Sequence, residues 1–318
     1  MELFFGTTVN GLQNGLCFAV LALGVYISFS VLDFPDLSVD GTFPLGGVVS
    51  TVLMLRLGVP PLAAICLSFF AGALAGAVTG VLHVKFKISA LLSGIIVMTS
   101  LLSVNLALTK LLTENGYTTT IFSYRSAGLA GIFGGELANS FGKEGKDYMI
   151  IAVLLLIVLA LKVLIDLFFR TKMGYMLRAV GDNERLAVTL AKNAGAYKIF
   201  GLALANGFVA VSGAVYSQLY MSYDNNCGSG KAVLALASVI IGTAVFANIR
   251  FLAPTTAVVL GAVIYGICIN YIVIVDENGI YTKLLNAVLF AMILIFNEKI
   301  SAFLSKRGAM REEKKRHA

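Results

Sequence analysis

Three carboxylates are the residues of this chain whose type and spacing could most readily do chemistry. Asp33, Asp36 and Asp40 lie in the segment LDFPDLSVDGTFPLGG, which runs from Leu32 to Gly47. Two prolines and three glycines in this segment interrupt an otherwise apolar region, and they break any continuous helix. Inside a membrane, broken backbone is tolerated only where it lines a cavity or is buried in protein.

The sequence excludes several kinds of active site. No Gly-Lys pair completes a phosphate-binding loop, because the earlier glycine and the following Ser or Thr are both missing. The four cysteines lack metal-ligand spacing. The motifs of an intramembrane protease, which are paired Asp, a Ser/His pair or HExxH, are also missing. We therefore expect no catalytic residue, no metal site and no cofactor bound by this chain.

The composition places these carboxylates in a membrane protein. Of 318 residues, 58% are hydrophobic and 13% are charged, whereas a soluble domain has roughly 25% charged residues. Repeated apolar runs predict an all-α polytopic membrane protein with about nine membrane segments, one of them broken or re-entrant. The predicted segments are Asn10–Leu32, Phe43–Leu55, Pro60–Leu82, Ser89–Leu112, Tyr148–Phe169, Tyr197–Met221, Ala232–Asn248, Pro254–Val275 and Lys283–Ser305.

Two parts of the chain share a pattern. The first span is followed by an acidic, Gly-bearing break and a short apolar helix. The span from Tyr197 is followed by a break with Asp224 and Gly228 and then by another apolar helix. The two units would have opposite orientations, so the pattern predicts an inverted repeat, which in transporters puts the path at the repeat interface.

Charge predicts the topology. The loop 170–198 holds six basic and two acidic residues, and the tail 306–318 is also basic, so both are expected in the cytoplasm. The loop 113–147 has a net charge of −1 and is expected outside. We thus predict a transmembrane domain over 1–305, an extracytoplasmic N-terminus and a cytoplasmic C-terminus. The chain's net charge of +7 reports topology and not nucleic-acid binding.

The basic loop contains a helix pattern. Gly181 permits a turn, Asp182 suits a helix N-cap, and Glu184 in the first turn favours the helix dipole. Leu186 and Leu190 then fall on one face. Such a helix fits a groove of another protein or rests on lipid headgroups, and the pattern alone leaves both interpretations open.

Two runs of the sequence resemble a known family. GYMLRAVGDN at 174–183 is similar to the coupling-helix region of permease subunits of bacterial ABC importers, in the group of the branched-chain amino acid and ribose permeases. LDFPDLSVDGTFPLG at 32–46 resembles a subgroup for which tryptophan or tyrosine has been suggested as substrate. The similarity runs over most of the chain.

The resemblance implies partners and roles. In that family two permeases pair in the bacterial cell membrane, two cytoplasmic ATPases dock on their coupling helices, and an extracytoplasmic binding protein delivers the substrate. The residues then expected to contact the ATPase are Arg178, Gly181, Asp182, Asn183, Glu184, Leu186, Ala187 and Leu190. Those expected to shape the translocation path are Asp33, Asp36, Asp40, Gly41, Thr42, Phe43 and Asn206.

Other interpretations remain open from the residues alone. A self-sufficient facilitator or channel would carry a small solute without ATP, and a membrane scaffold would carry none. Asn105, Asn206 and Asn270 could hydrogen-bond a passing amino acid or tie two helices together. Gly72, with glycines four and eight residues later, could form a sliding surface or permit ordinary close helix packing.

The coupling-helix interpretation makes a direct prediction. Replacing Leu186 or Leu190 with Asp places a charge on the face expected to enter the ATPase groove, so uptake should be lost while the protein stays in the membrane. The measurement is solute uptake by cells, with the membrane level of the chain followed by immunoblot. Uptake at the wild-type rate would show that this face does not dock.

Overall fold

The computed structural model describes residues 2–113, 120–134, 143–183, 193–246, 252–275, 281–282 and 284–295. Hydrocarbon offers no hydrogen-bond partner to the backbone, and helices satisfy their own amides and carbonyls. Accordingly, helices make up most of these residues. The helices are α1 (Glu2–Val25), α2 (Val39–Leu57), α3 (Pro61–Val84), α4 (Ala90–Thr109), α5 (Lys143–Phe169), α6 (Lys172–Asp182), α7 (Ala194–Leu219), α8 (Lys231–Val245), α9 (Pro254–Val275) and α10 (Leu284–Ile295).

The all-α membrane architecture is confirmed, and the count of nine segments is not. Within the described ranges, seven helices are long and apolar enough to cross a bilayer. The other two predicted segments correspond to α2, with 19 residues, and to the shorter α10. Neither of these two helices is among the seven. The predicted inverted repeat is also not confirmed. The seven are Phe4–Val31, Pro61–Val84, Ala90–Leu112, Gly145–Phe169, Ala194–Leu219, Asn225–Val245 and Pro254–Ile274.

The predicted break exists but is shorter than expected. After α1 the chain continues as a π-helical stretch, Tyr26–Val31, and residues 32–38 are irregular. The prediction that the next helix begins near Phe43 is wrong, because α2 begins at Val39 and contains Pro44. A carboxylate oxygen of Asp36 accepts the amide hydrogen of Ser38 at 2.8 Å, which forms a turn directly before the helix.

The helices α3 and α7 pack antiparallel through a glycine stripe. A Cβ on Gly72 would lie 2.3 Å from the carbonyl oxygen of Asn206, and one on Gly76 would lie 2.2 Å from that of Leu202. Both distances are shorter than any real Cβ contact, so only glycine allows the two backbones to approach this closely. The stripe therefore serves close helix packing.

The two long predicted loops lie at opposite ends of the bundle. Strand β1 (Ile121–Ser123), from the loop 113–147, pairs antiparallel with β2 (Ser222–Asp224), which follows α7. At the other end, α6 lies against the end of the π-helical stretch, where a Cβ on Gly181 would meet the carbonyl oxygen of Val31 at 1.8 Å. Which end of the bundle faces the cytoplasm stays a prediction.

The local prediction for Gly181 and Asp182 is wrong. Gly181 does not open a turn, since it lies in the last turn of α6, and Asp182 is the final residue of that helix rather than an N-cap. Asn183 caps the C-terminal end. The glycine is needed for the close approach to Val31. The predicted contact residues Glu184, Leu186, Ala187 and Leu190 lie outside the described residues.

The glycine packing predicts an effect on stability. Gly76→Ala should lower the free energy of unfolding by about 1–3 kcal/mol, because the added methyl group overpacks the contact with α7. The matched control is Gly6→Ala in α1, where a Cβ meets nothing within 4 Å. Thermal unfolding of the purified protein in detergent measures both variants. Equal melting temperatures for the two would contradict the packing role.

Candidate functional site

The two breaks of the chain meet inside the bundle, and Asp40 joins them. One oxygen of the Asp40 carboxylate accepts the amide hydrogen of Ala232 at 2.7 Å, and the other accepts that of Gly230 at 3.0 Å. Asp40 belongs to the first turn of α2, whereas both amides belong to the start of α8. The carboxylate thus caps a different helix from its own, where a negative charge is stabilised by the helix dipole.

The second break has a shape that admits this contact. Its 3-10 turn, Asn225–Gly228, brings Gly228 against the carbonyl of Asp40, where a Cβ would lie 1.9 Å from the oxygen. Gly230 has a φ of 81°, in the left-handed region that favours glycine. Pro44 has no amide hydrogen to offer the Asp40 carbonyl, so this carbonyl is free of an intrahelical bond and faces the second break.

A second polar cluster fixes the first break to the middle of the bundle. Asp36 is buried, and its second carboxylate oxygen accepts from the side-chain amide of Asn206 at 2.7 Å. The Ser38 hydroxyl donates to the amide oxygen of Asn206 at 3.1 Å. Asn206 lies near the centre of α7. Each of these three side chains therefore has a partner, which offsets much of the cost of burying them.

The structure separates the remaining predicted path residues. Asp33 is exposed and has a φ of 51°. Gly41 faces α4, where the side chain of Asn105 donates to its carbonyl at 3.1 Å. Thr42 and Phe43 are fully buried. The predicted set thus divides into the Asp36–Asn206 pair, the Asp40 contact and residues that pack the start of α2.

Polar side chains also join helices at the end of the bundle that carries the two strands. The Gln218 side-chain amide donates to the Ser50 hydroxyl at 3.1 Å and to the Pro61 carbonyl at 3.0 Å. The hydroxyls of Thr51 and Tyr124 lie 2.8 Å apart. Burial raises the pKa of Tyr124 to about 12, so its phenol stays neutral. These contacts connect α2, α3 and α7 to the segment beside β1.

Sequence reasoning missed a lysine beside the Asp40 contact. The ammonium nitrogen of Lys231 lies 4.2 Å from the ring centre of Phe18, 4.9 Å from that of Tyr216 and 5.4 Å from that of Phe43. These distances are in the range of cation–π interactions. The sequence presents Lys231 as the last residue of a polar turn, and no spacing rule connects it with rings on α1, α2 and α7.

Asn105, Asn206 and Asn270 tie neighbouring elements together. Asn105 and Asn206 do so through the contacts above, and Asn270 accepts from the side chain of Asn14 at 3.3 Å. Lys162 and Asp166, four residues apart on α5, form an ion pair at 2.8 Å, and the Thr255 hydroxyl donates to Asp166. Among the residues that the structure places, no three His, Cys, Asp or Glu side chains are grouped to hold a metal ion.

Comparisons with known proteins agree along almost the whole chain. A family model described as a branched-chain amino acid transport system permease component matches residues 7–297. A tyrosine transport system permease protein of Clostridioides difficile is 36% identical over 286 residues, which cover 90% of each chain. The ribose import permease protein RbsC of Escherichia coli K12 is 24% identical over 91% of this chain and 85% of its own. No solved structure matches significantly.

The Asp40 contact predicts graded losses of stability. Asp40→Ala removes both acceptors from the start of α8 and should cost about 3–6 kcal/mol in the free energy of unfolding, since hydrogen bonds to charged groups contribute about 1.5–3 kcal/mol each. Asp40→Asn keeps one acceptor oxygen and should lose less. Chemical denaturation in detergent measures the difference, with exposed Asp33→Asn as the control. Equal stability of Asp40→Ala and the wild type would show that the cap is dispensable.

Proposed function

This chain belongs to the family of branched-chain amino acid transport system permease components, and on that premise we propose that its two helix breaks shape the translocation path for an aromatic amino acid. The chain is the membrane-spanning permease component of an ABC transport system. Permease components of ABC importers work with an ATPase and a substrate-binding protein. The hydrolysis of ATP is then assigned to the partner, and this chain binds no cofactor of its own.

The observation that carries the proposal is the meeting of two breaks through Asp40. Polar groups inside a membrane are costly, and they mark solute pathways when they face the interior of a bundle. Here Asp36, Asp40 and Asn206 lie among helices that are otherwise apolar. The path is assigned to these residues together with Asp33, Gly41, Thr42 and Phe43, which form the entrance and the wall of the first break.

The choice of solute rests on a relative and on the side chains around the break. The C. difficile relative is named a tyrosine transport permease and covers 90% of this chain. The ring centres of Phe18 and Phe43 lie 5.9 and 5.4 Å from that of Tyr216. The ring centre of Tyr220 lies 4.6 Å from that of Tyr216 on the same helix end. A row of rings suits a solute with an aromatic side chain.

The route for ATP-driven motion begins at α6. The guanidinium of Arg178 lies 4.6 Å from the ring centre of Phe169, which orients this exposed side chain at the predicted cytoplasmic end. Gly181 touches the carbonyl of Val31, directly before the first break. A displacement of α6 by the ATPase would thus also displace residues 32–38 and the Asp36–Asn206 pair. The further assigned ATPase contacts are Asp182, Asn183, Glu184, Leu186, Ala187 and Leu190.

The assembly follows from this arrangement. Two copies of the chain would pair in the bacterial cell membrane, with the basic loop and the tail 306–318 in the cytoplasm. The extracytoplasmic binding protein would dock at the end that carries β1 and β2. Closure of the ATPase dimer would then rock the two permease copies around a central path, in a rigid-body motion about their interface.

Reconstitution tests the proposal. Liposomes that contain the chain with its ATPase should take up L-tyrosine only when ATP is enclosed with the ATPase and the binding protein is present outside. Radiolabelled tyrosine accumulation measures this directly, and liposomes with the chain alone are the control. Tyrosine flux through the chain alone, without ATP, would overturn the importer mechanism and establish a facilitator.

A further inference from the structure

Lys231 is a cation inside the membrane region that has no anion in contact. It is the first residue of α8, and in the part of the chain that the structure covers its ammonium has no hydrogen bond and no ion pair within 4 Å. Lys162 of α5, by contrast, is paired with Asp166 at 2.8 Å. An ammonium in this environment is costly unless a counter-charge accompanies it, so Lys231 requires a physical reason to be there.

The nearby carboxylate does not serve as that counter-charge by contact. Both oxygens of Asp40 are engaged with the backbone amides of Gly230 and Ala232, the residues on either side of the lysine. Asp40 therefore stabilises the positive end of α8, and it attracts the Lys231 ammonium through space without an ion-pair contact. An incoming anion would meet an amine group whose hydrogen-bond donors are not committed.

The rings hold the ammonium in place without satisfying its hydrogen-bond donors. Phe18, Tyr216 and Phe43 come from three different helices and converge on the lysine nitrogen at 4.2, 4.9 and 5.4 Å. Cation–π contacts are electrostatic and non-directional compared with hydrogen bonds. The ammonium is thus oriented and remains able to donate to a carboxylate.

The same rings lead outward from Lys231. Tyr216 contacts Tyr220, which directly follows α7 at the end of the bundle that carries β2. The side chain of Tyr220 is 46% exposed, and it donates a hydrogen bond to Asn14 in the middle of α1. A solute that enters from that end would pass Tyr220 and Tyr216 before it reaches the lysine. The order of groups along this line is polar, aromatic and then cationic.

We propose that Lys231 binds the carboxylate of the transported amino acid, while the rings of Phe18, Phe43 and Tyr216 contact its side chain. This inference rests on the proposed function and adds the chemical class of the ligand, a carboxylate attached to an aromatic or large apolar group. The α-amino group of the solute would point away from Lys231, because like charges repel. An amide in place of the carboxylate would lose the ionic contact.

Transport by the complete complex in liposomes tests the residue. L-tyrosine uptake should fall at least about tenfold in Lys231→Met, because the variant removes the charge-assisted hydrogen bond to the carboxylate of tyrosine. In Lys231→Arg, which keeps a cation, uptake should stay within about threefold of wild type. Lys110→Met, which removes one exposed positive charge at the outer end of α4, is the matched control and should transport normally.

A binding measurement separates recognition from a structural role. Saturation-transfer NMR on the full chain in nanodiscs, with L-tyrosine or tyrosinamide as the probe, should give a signal for tyrosine only, and Lys231→Met should abolish it. Equal signals from acid and amide, or normal uptake by Lys231→Met, would overturn the assignment while the importer function stands. Absence of ATP-dependent uptake by the wild-type complex would instead reject the proposed function. A Lys231→Arg variant as defective as Lys231→Met would show that shape, and not charge, is required.

Discussion

The hydrogen bonds from the start of α8 to Asp40 are the constraint on which the rest of the site depends. A helix that begins inside a membrane has backbone amides without an intrahelical partner, and each unsatisfied amide is costly there. The carboxylate of Asp40, on α2, accepts hydrogen bonds from two of these amides at the start of α8. It thereby joins two parts of the chain that are distant in sequence. The position of Lys231, the glycines of the second break and the place of Pro44 all follow from that contact.

The surrounding helices hold this contact at a fixed depth. Close packing of α3 on α7 positions Asn206, which in turn holds Asp36 and the irregular residues before α2. The contact of Gly181 with Val31 connects the same irregular residues to α6. The first break therefore lies between the glycine-packed helices α3 and α7 on one side and α6, at the predicted cytoplasmic end, on the other. In this arrangement a small displacement of α6 would act on polar groups near the centre of the bundle.

Much of this architecture could be predicted from the sequence, because apolar length and charge bias act locally. The spans, the break near Asp36 and the Lys162–Asp166 pair follow from spacing along a single helix. Pro44 predicts a helix start near Phe43, whereas α2 begins at Val39 and contains the proline. Gly181 was taken for a turn, although its role is a contact with Val31. Lys231 was missed since its partners lie on three other helices, and no local pattern records such a meeting.

The separation of Asp40 from its partners has a consequence for biogenesis. The carboxylate enters the membrane 190 residues before the amides it will bind. At a synthesis rate of about 5–20 residues per second, it waits roughly 10–40 s for them. During that interval the Asp40 carboxylate on α2 lacks the amides that it finally binds. Keeping α2 in the membrane then depends on the helices already inserted, on water and on the insertion machinery. The order in which the helices enter the bilayer is therefore part of how this protein reaches its fold, and the start of α8 supplies the late partner of Asp40.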